Sequence, residues 1–324
     1  MLRRFAASVC LVLATLLTLP AFAQPFPSKI VRIIVPVPPG GLSDILARHL
    51  ATELTAVWGQ RVIVENRPGA NTILAAEATA KSPPDGYTLL FTTPPAMSSN
   101  QFLFKKLGYD AERDLIPVFN IAYAPPIFIT NAKVPANTLQ EFISLAKSKP
   151  GILRYGSFGV GSVANIDTEI LSMKVGMKLN HVPYKGISEV LPALVTDEVQ
   201  FGYAGIPPAL SFISRGEIKA LAVSAPKRVA VLPNVPTLDE AGVHGLDLRG
   251  WFGIVAPGGT PKPIVDKIAK DLSEITGRKE FQDKAITGVG LMPMFQMPDQ
   301  FEAFLTAERA RNREVIRELN ISLD

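Results

Sequence analysis

An α/β chain in two lobes is what the sequence predicts, on three observations. Apolar runs rich in Val, Ile and Phe, without polar alternation, read as strands buried on both faces of a parallel sheet, and they alternate with helical stretches from residue 30 onward. The same local grammar of strand, glycine-rich turn and helix start occurs twice, as VRIIVPVPPGGLSDILARHL at 31–50 and ILRYGSFGVGSVANIDTEIL at 152–171. The proline-rich connections YAPP near 125 and SAPKR near 226 bracket the second of these units, which makes them the expected crossovers between lobes.

The elements follow in order. Residues 1–23 read as a secretory signal peptide: Arg3 and Arg4, an apolar stretch from Phe5 to Leu19, then Pro20 and the small-x-small end Ala21-Phe22-Ala23. The apolar stretch is short for a membrane span, and Cys10, the only cysteine, leaves with it. The expected location is therefore the periplasm, for a mature chain without thiol or disulfide. Strands are expected at 30–37, 60–66, 87–93, 126–132, 153–157, 179–185, 199–205, 218–225 and 251–257. Between them, Leu42, Ile45, Leu46, His49, Leu50 and Leu54 form an amphipathic stripe, and Thr138 with Glu141 has capping-box spacing before a stop at Pro150-Gly151. Thr260 reads as the N-cap and Pro261 as the first position of a helix ending at Gly277. A last helix at about 299–319 carries the charged run AERARNREVIREL, read as surface.

Composition excludes some functions. With 324 residues, 47% apolar, 19% charged and a formal charge of +4 that loses two arginines with the leader, the chain is an ordinary globular one, and its cations form no stripe suited to nucleic acid. His49, His181 and His244 show no metal-ligand spacing, and no cofactor is implied. GVGSVA at 159–164 resembles a dinucleotide fingerprint, but no acidic residue ends the next strand roughly 20 residues on to meet a ribose. Ser157 and Ser162 lack the Gly-x-Ser-x-Gly elbow of an esterase.

What the two turns offer is backbone amide. In an open parallel sheet, ligands bind beyond the carboxyl ends of strands, where glycines permit close approach and helix N-termini present unpaired N–H groups and a positive dipole end. Neither turn carries Lys or Arg, so the fitting guest is a small carboxylate. The expected contacts are Val37, Pro38, Pro39, Gly40, Gly41, Ser43 and Asp44 from the first unit, and Ser157, Phe158, Gly159, Gly161, Ser162 and Asn165 from the second. Thr92, Thr93, Ala204, Gly205 and Ile206 join them as strand ends facing the cleft, with Tyr184 nearby. Two readings stand for Asp44, a first-turn carboxylate bonded to backbone N–H or a partner for a ligand ammonium or hydroxyl, and two for Phe158, stacking on an aromatic acid or packing inside its lobe.

Six segments carry a family resemblance: PFPSKIVRIIVPVPPGGLSDILAR, VENRPGAN, YGSFGVGS, HVPYKG, IKALAVSAPKRVAVLPNVPTLDEAG and WFGIVAPGGTPKPIV. In series over nearly all of 25–324 they resemble the Bug, or TctC-like, family of extracytoplasmic solute receptors of tripartite tricarboxylate transporters. The resemblance implies a two-lobed periplasmic binding protein of type II that is not an enzyme and closes like a flytrap on a carboxylate. Residues 38–44 and 157–162 would hold it by backbone amides, partly through ordered waters. It also implies membrane permease subunits as partners, for a receptor expected to be a monomer. The expected division is 24–125 with 227–324 as lobe 1 and 126–226 as lobe 2. Asn165 stands where the family's wording has a histidine, so no relative's ligand is carried over: aromatic and aliphatic dicarboxylates, nicotinate-like acids and acidic amino acids all stay open. The alternatives are a periplasmic hydrolase or transferase using Ser157 or Ser162, and a ligand-sensing partner of a membrane signalling protein.

Overall fold

β1 (Val31–Val35) is apolar except for Arg32, and it lies between two parallel neighbours, β2 (Val62–Asn66) and β3 (Thr88–Thr92). In the computed structural model, which describes residues 26–246, 248, 250–318 and 320–323, Val35 sits opposite Asn66 and Ile34 opposite Leu90. The expected signal peptide, its cleavage point and Cys10 lie outside the described residues. Helix α1 (Leu42–Trp58) links β1 to β2, α2 (Ile73–Ala80) links β2 to β3, and a short α3 (Asn100–Leu103) follows β3. Three further strands complete this sheet, β4 (Leu115–Ala124), β10 (Gly250–Pro257) and β11 (Met292–Gln296), in the order β11-β4-β10-β3-β1-β2.

β4 and β11 are absent from the strands expected above. Pro117 and Asn120 interrupt the apolar pattern of β4, and Pro293 that of β11. Both strands tolerate these residues through irregular register: the β4 ladder shifts beside Pro117, and the β11 ladder shifts after Pro293.

The second sheet holds β5 (Pro126–Asn131), β6 (Arg154–Ser157), β7 (Asn180–Pro183), β8 (Phe201–Gly205) and β9 (Ile218–Val223), ordered β7-β6-β8-β5-β9. β6 runs parallel to β7 and β8, while β5 runs antiparallel to β8 and β9. Around it pack α4 (Leu139–Ser148), α5 (Val163–Val175), α6 (Ile187–Val195) and α7 (Ile206–Ser214). A ring stack at its centre brings Phe142 to 4.6 Å and Phe128 to 5.8 Å from Phe201. The architecture is α/β, two sheets with helices, as the pattern of strands and helices predicts.

The chain enters the second sheet between Ala124 and Pro126, at YAPP. Its return differs from the boundary placed at 226. Val229 and Val235 belong to one hydrophobic cluster of the second sheet and Leu238, Val243 and Leu248 to another, and the Leu238 amide donates to the Val223 carbonyl at 3.0 Å. SAPKR is a polar turn that interrupts strand geometry without ending the lobe's apolar pattern.

Local chemistry explains the helix ends. Thr138 accepts from the Glu141 amide at 3.1 Å and Glu141 accepts from the Asn137 amide at 2.6 Å, so the expected box forms with its return bond one residue further out. The helix after β10, α8 (Lys262–Gly277), starts later than expected: Pro261 is the N-cap, and the Thr260 hydroxyl turns back to the Pro257 carbonyl at 2.7 Å. In α1 the buried stripe is Leu46, Ala47, Leu50, Ala51 and Leu54 with Ser43 and Asp44 at its start, whereas Ile45 is exposed. α9 (Pro298–Glu318) departs most from its surface reading. Phe301 and Leu305 pack beside Trp251 on the first sheet, Val315 and Ile316 enter the second lobe's core, and Glu308, Arg309 and Asn312 between them are buried. Glu308 accepts from the Trp251 indole at 2.9 Å, and Arg309 donates to the Met97 carbonyl at 3.0 Å. Among the described residues no helix is long and apolar enough to cross a membrane.

Candidate functional site

Both glycine-rich turns leave the carboxyl ends of parallel strands, β1 in the first sheet and β6 in the second. The loop after β3 (Pro94, Pro95, Ser99) shares a small cavity with the start of α5 (Val163, Ile166, Asp167). Farther along, a Cβ added to Gly290 would meet Pro207, just after β8, at 3.0 Å.

The first turn is held from behind. Pro38, Pro39 and Gly40 are exposed, Val37 and Gly41 half-buried, and Ser43 and Asp44 buried. Gly40 takes φ +87°, a region where a side chain is strained. Its amide donates to Asp44 Oδ2 at 2.9 Å, the same oxygen that accepts from Arg48 Nε at 2.9 Å, while Asp44 Oδ1 accepts from Asn66 Nδ2 at 2.8 Å. Asn66 also donates to the Val37 carbonyl at 3.0 Å and accepts from Arg48 Nη2 at 3.1 Å. Burial alone would raise the Asp44 pKa, but hydrogen bonds from Arg48, Gly40 and Asn66, together with the Arg48 charge, outweigh it and hold the carboxyl at about 2. Of the two readings of Asp44, the structure has the first: its carboxylate is consumed by the turn. The Gly40 amide is consumed with it. Gly41 caps α1 without a side-chain acceptor, so the first-turn amides of Leu42, Ser43 and Asp44 are those the helix itself leaves unpaired.

The second turn repeats this construction. Gly161, at φ +74°, donates its amide to Asn165 Oδ1 at 2.9 Å, four residues on, as Gly40 does to Asp44. Asn165 Nδ2 then donates to Tyr155 Oη at 2.6 Å, and Tyr155 donates to Glu169 Oε1 at 2.5 Å. Burial raises the pKa of both Tyr155 and Glu169. Ser162 caps α5, accepting from the Asn165 amide at 3.3 Å and donating to the Gly159 carbonyl at 2.7 Å. Asn165 thus stands behind the loop, matched to Asp44, and its amide group supplies one acceptor and one donor without charge.

Several expected residues have their partners within their own lobe. Thr92 is fully buried in β3, and Thr93 half-buried after it. Ala204 and Ile206 lie in the second lobe's core, leaving half-buried Gly205 as the uncapped N-cap of α7. Phe158 packs edge-on to Tyr203 at 6.2 Å, the lobe-packing reading. Tyr184 donates to Glu198 at 2.8 Å, and its amide donates to the Ser157 carbonyl at 3.0 Å, a structural role.

The sequence did not indicate His181 or Asn66. Ser157 Oγ lies 2.6 Å from His181 Nε2, and the imidazole stacks on Tyr155 at 4.8 Å. Burial lowers the His181 pKa, which favours the neutral ring. A serine beside a neutral histidine is the geometry of an activated nucleophile, but Ser157 is fully buried and exchanges further bonds with Gly159, accepting from its amide at 3.1 Å and reaching its carbonyl at 3.0 Å. The pair is built to fix the loop. Asn66 has a readable signal, an amide side chain ending the strand beside β1; His181 has none without the β6–β7 register that sets it opposite Tyr155. A third loop belongs to the same edge. Ala70, Asn71 and Thr72 all adopt positive φ (46°, 48° and 74°), and Asn71 exchanges two 2.8 Å hydrogen bonds with Asn100. Because β1 lies between β2 and β3, this bridge joins the segments that follow the two strands flanking β1.

Comparison with known proteins places the chain in a family. The chain is 32% identical over 322 residues to Protein BugT of Bordetella pertussis, spanning 99% of this chain and 98% of that one. Among solved structures, Rpa4515 of R. palustris with adipate superposes with a TM-score of 0.78 at 32% identity, covering 92% of this chain and all of that one. MatC (Rpa3494) from Rhodopseudomonas palustris with bound malate gives 0.74 at 30%, covering 90% and 100%. The pattern described as "Tripartite tricarboxylate transporter family receptor" matches residues 46–321. The fold is that of periplasmic binding proteins, and the chain belongs to the TctC family of tripartite tricarboxylate transporter receptors.

Proposed function

We propose that this receptor captures a small organic carboxylate in the periplasm, between its lobes, and delivers it to the permease of a tripartite transporter without transforming it. The observation that carries the reading is the matched pair of turns. Each presents an amide-rich helix start with its glycine locked by the side chain four residues on, Asp44 or Asn165, and the Asp44 charge is met by Arg48. Arg48, beside the first turn, is bonded to Asp44 and Asn66. Anion recognition therefore falls to backbone N–H groups and helix dipoles, a weak but directional field suited to a carboxylate. Relatives bound to adipate and malate support the ligand class. The N-terminal leader read from sequence supports export, and a monomer suffices for a site built wholly within one chain. We place the lobe boundaries at 125/126 and after 248, because residues 229–248 join the second sheet's clusters, while the end of α9 and its tail return to the second lobe.

The ligand works by differential contact: bonded to both lobes only when they close, it shifts the population toward the closed form. A panel of carboxylic acids that includes adipate and malate tests this, each acid beside its neutral amide. A cognate acid at a hundredfold excess over Kd should raise Tm by roughly 5 to 10 °C and be recovered unchanged, while its amide has no effect. No shift with any acid, or conversion of an acid or an ester that disappears in Ser157→Ala, would overturn the reading in favour of the hydrolase.

A further inference from the structure

The second glycine-rich loop rests on side chains from outside its own strand–turn–helix unit. A Cβ built on Gly161 would fall 2.8 Å from Leu103 Cδ1 and 3.1 Å from Leu323 Cδ1, so these two leucines fill the space against the loop's backbone. They are tied to one another, for the Leu323 amide donates to the Leu103 carbonyl at 2.9 Å. Leu103 ends α3, a helix that follows a strand of the first sheet, yet it is 1% exposed within the second lobe's core. Leu323 reaches the same core from the tail after α9.

The tail's path is built. Asn320 takes the left-handed conformation at φ +49°, its amide donating to the Arg317 carbonyl at 3.2 Å, and the Ile321 amide donates to the Ile316 carbonyl at 3.1 Å. This pair of bonds turns the chain out of α9 and toward the loop, in the manner of a helix end closed by a left-handed residue. Gly40 in the first loop has no such packing: among the described residues nothing lies within 4 Å of a Cβ built there.

We propose that Leu103 and Leu323 are positioning residues for ligand capture, a packed pair that reaches the second loop from the first lobe's α3 and from the tail after α9. The pair holds the loop's amides in their gripping arrangement and couples that arrangement to the angle between the lobes. This rests on reading residues 157–162 as half of the carboxylate grip.

Amide hydrogen exchange on the ligand-free, full-length protein decides it, with Leu323→Ala as the main variant, Leu323→Val as the milder one should the first not fold, and Leu323→Met as the conservative rescue. Exchange in 159–165 should rise several-fold in Leu323→Ala and return toward wild type in Leu323→Met, with 38–44 unchanged in every variant. A fall in Tm with exchange in 159–165 at the wild-type rate would overturn the proposal and leave the leucines as core filling. A second arm titrates wild type and variants with adipate and malate. A tenfold weaker affinity in Leu323→Ala supports the coupling, and equal affinity contradicts it. Should neither acid bind wild type, the grip reading loses its support for these ligands, while the exchange result still decides whether the leucines position the loop.

Discussion

Asp44 and Asn165 perform one task with different chemistry, and the difference is measurable. Each accepts from the glycine four residues before it. Asp44 adds a charge neutralised by Arg48, whereas Asn165 adds an uncharged link to Tyr155. Asp44→Ala should remove the acceptor of the Gly40 amide and of Arg48 Nε and one of the two acceptors of Asn66 Nδ2, and cost about 1 to 3 kcal/mol by chemical denaturation. Asp44→Asn should cost less, because an amide oxygen can still accept from Gly40 as Asn165 does from Gly161. The folded pKa of Asp44, about 2, lies below its ordinary value of 3.8. The stability it adds is thus fully present above pH 4 and lost as pH falls toward 2, a step that Asp44→Asn should remove. His181 works at higher pH. Burial holds its pKa below 6.5, so stability should fall as pH drops below 6.5, where the unfolded ring takes up a proton first. In His181→Phe, which keeps the stack on Tyr155 and drops the bond to Ser157, that slope should vanish in a pH series of Tm. Sequence showed the first-turn role of Asp44 as one of two readings, since capping depends on spacing along the chain. It could not show Asn66 or His181, whose partners arrive from neighbouring strands.

At the scale of the element, the two turns look interchangeable in sequence and are not. Gly40 and Gly161 both need positive φ, yet a methyl group at Gly40 enters open space, and one at Gly161 meets Leu103 and Leu323. Gly40→Ala should cost only the conformational term, about 1 kcal/mol. Gly161→Ala should cost distinctly more, and part of the excess should be recovered in a Gly161→Ala/Leu323→Ala double variant, measured as a non-additive change in denaturation free energy. The strand-turn-helix units themselves were legible, because buried parallel strands and glycine turns are local patterns. β4 and β11 were not, because Pro117 and Pro293 break the apolar runs and only the irregular ladders to neighbouring strands accommodate them. α9 was misread for a related reason. Glu308 and Arg309 look like surface charges until Trp251 and the Met97 carbonyl, both distant in sequence, supply their partners.

On the scale of the whole molecule, the lobes are joined by more than two crossing strands. The chain passes once at Ala124–Pro126 and again before β10, and α9 adds a third connection by burying its first half against one sheet and its end in the other lobe's core. A receptor hinged this way should close as rigid lobes rather than by local folding. Small-angle scattering should register a smaller radius of gyration with a cognate carboxylate and no change in far-ultraviolet circular dichroism. The atoms that would hold that carboxylate are the backbone amides of the two turns. An amide-resolved NMR titration of the full-length protein with the acid giving the largest thermal shift reads them directly. Gripping by both turns requires saturable downfield shifts at Leu42, Ser43 and Asp44 and at Val163 and its neighbours, with one common Kd. Shifts confined to one lobe, or centred on lysine and arginine side chains with both turns silent, would contradict it.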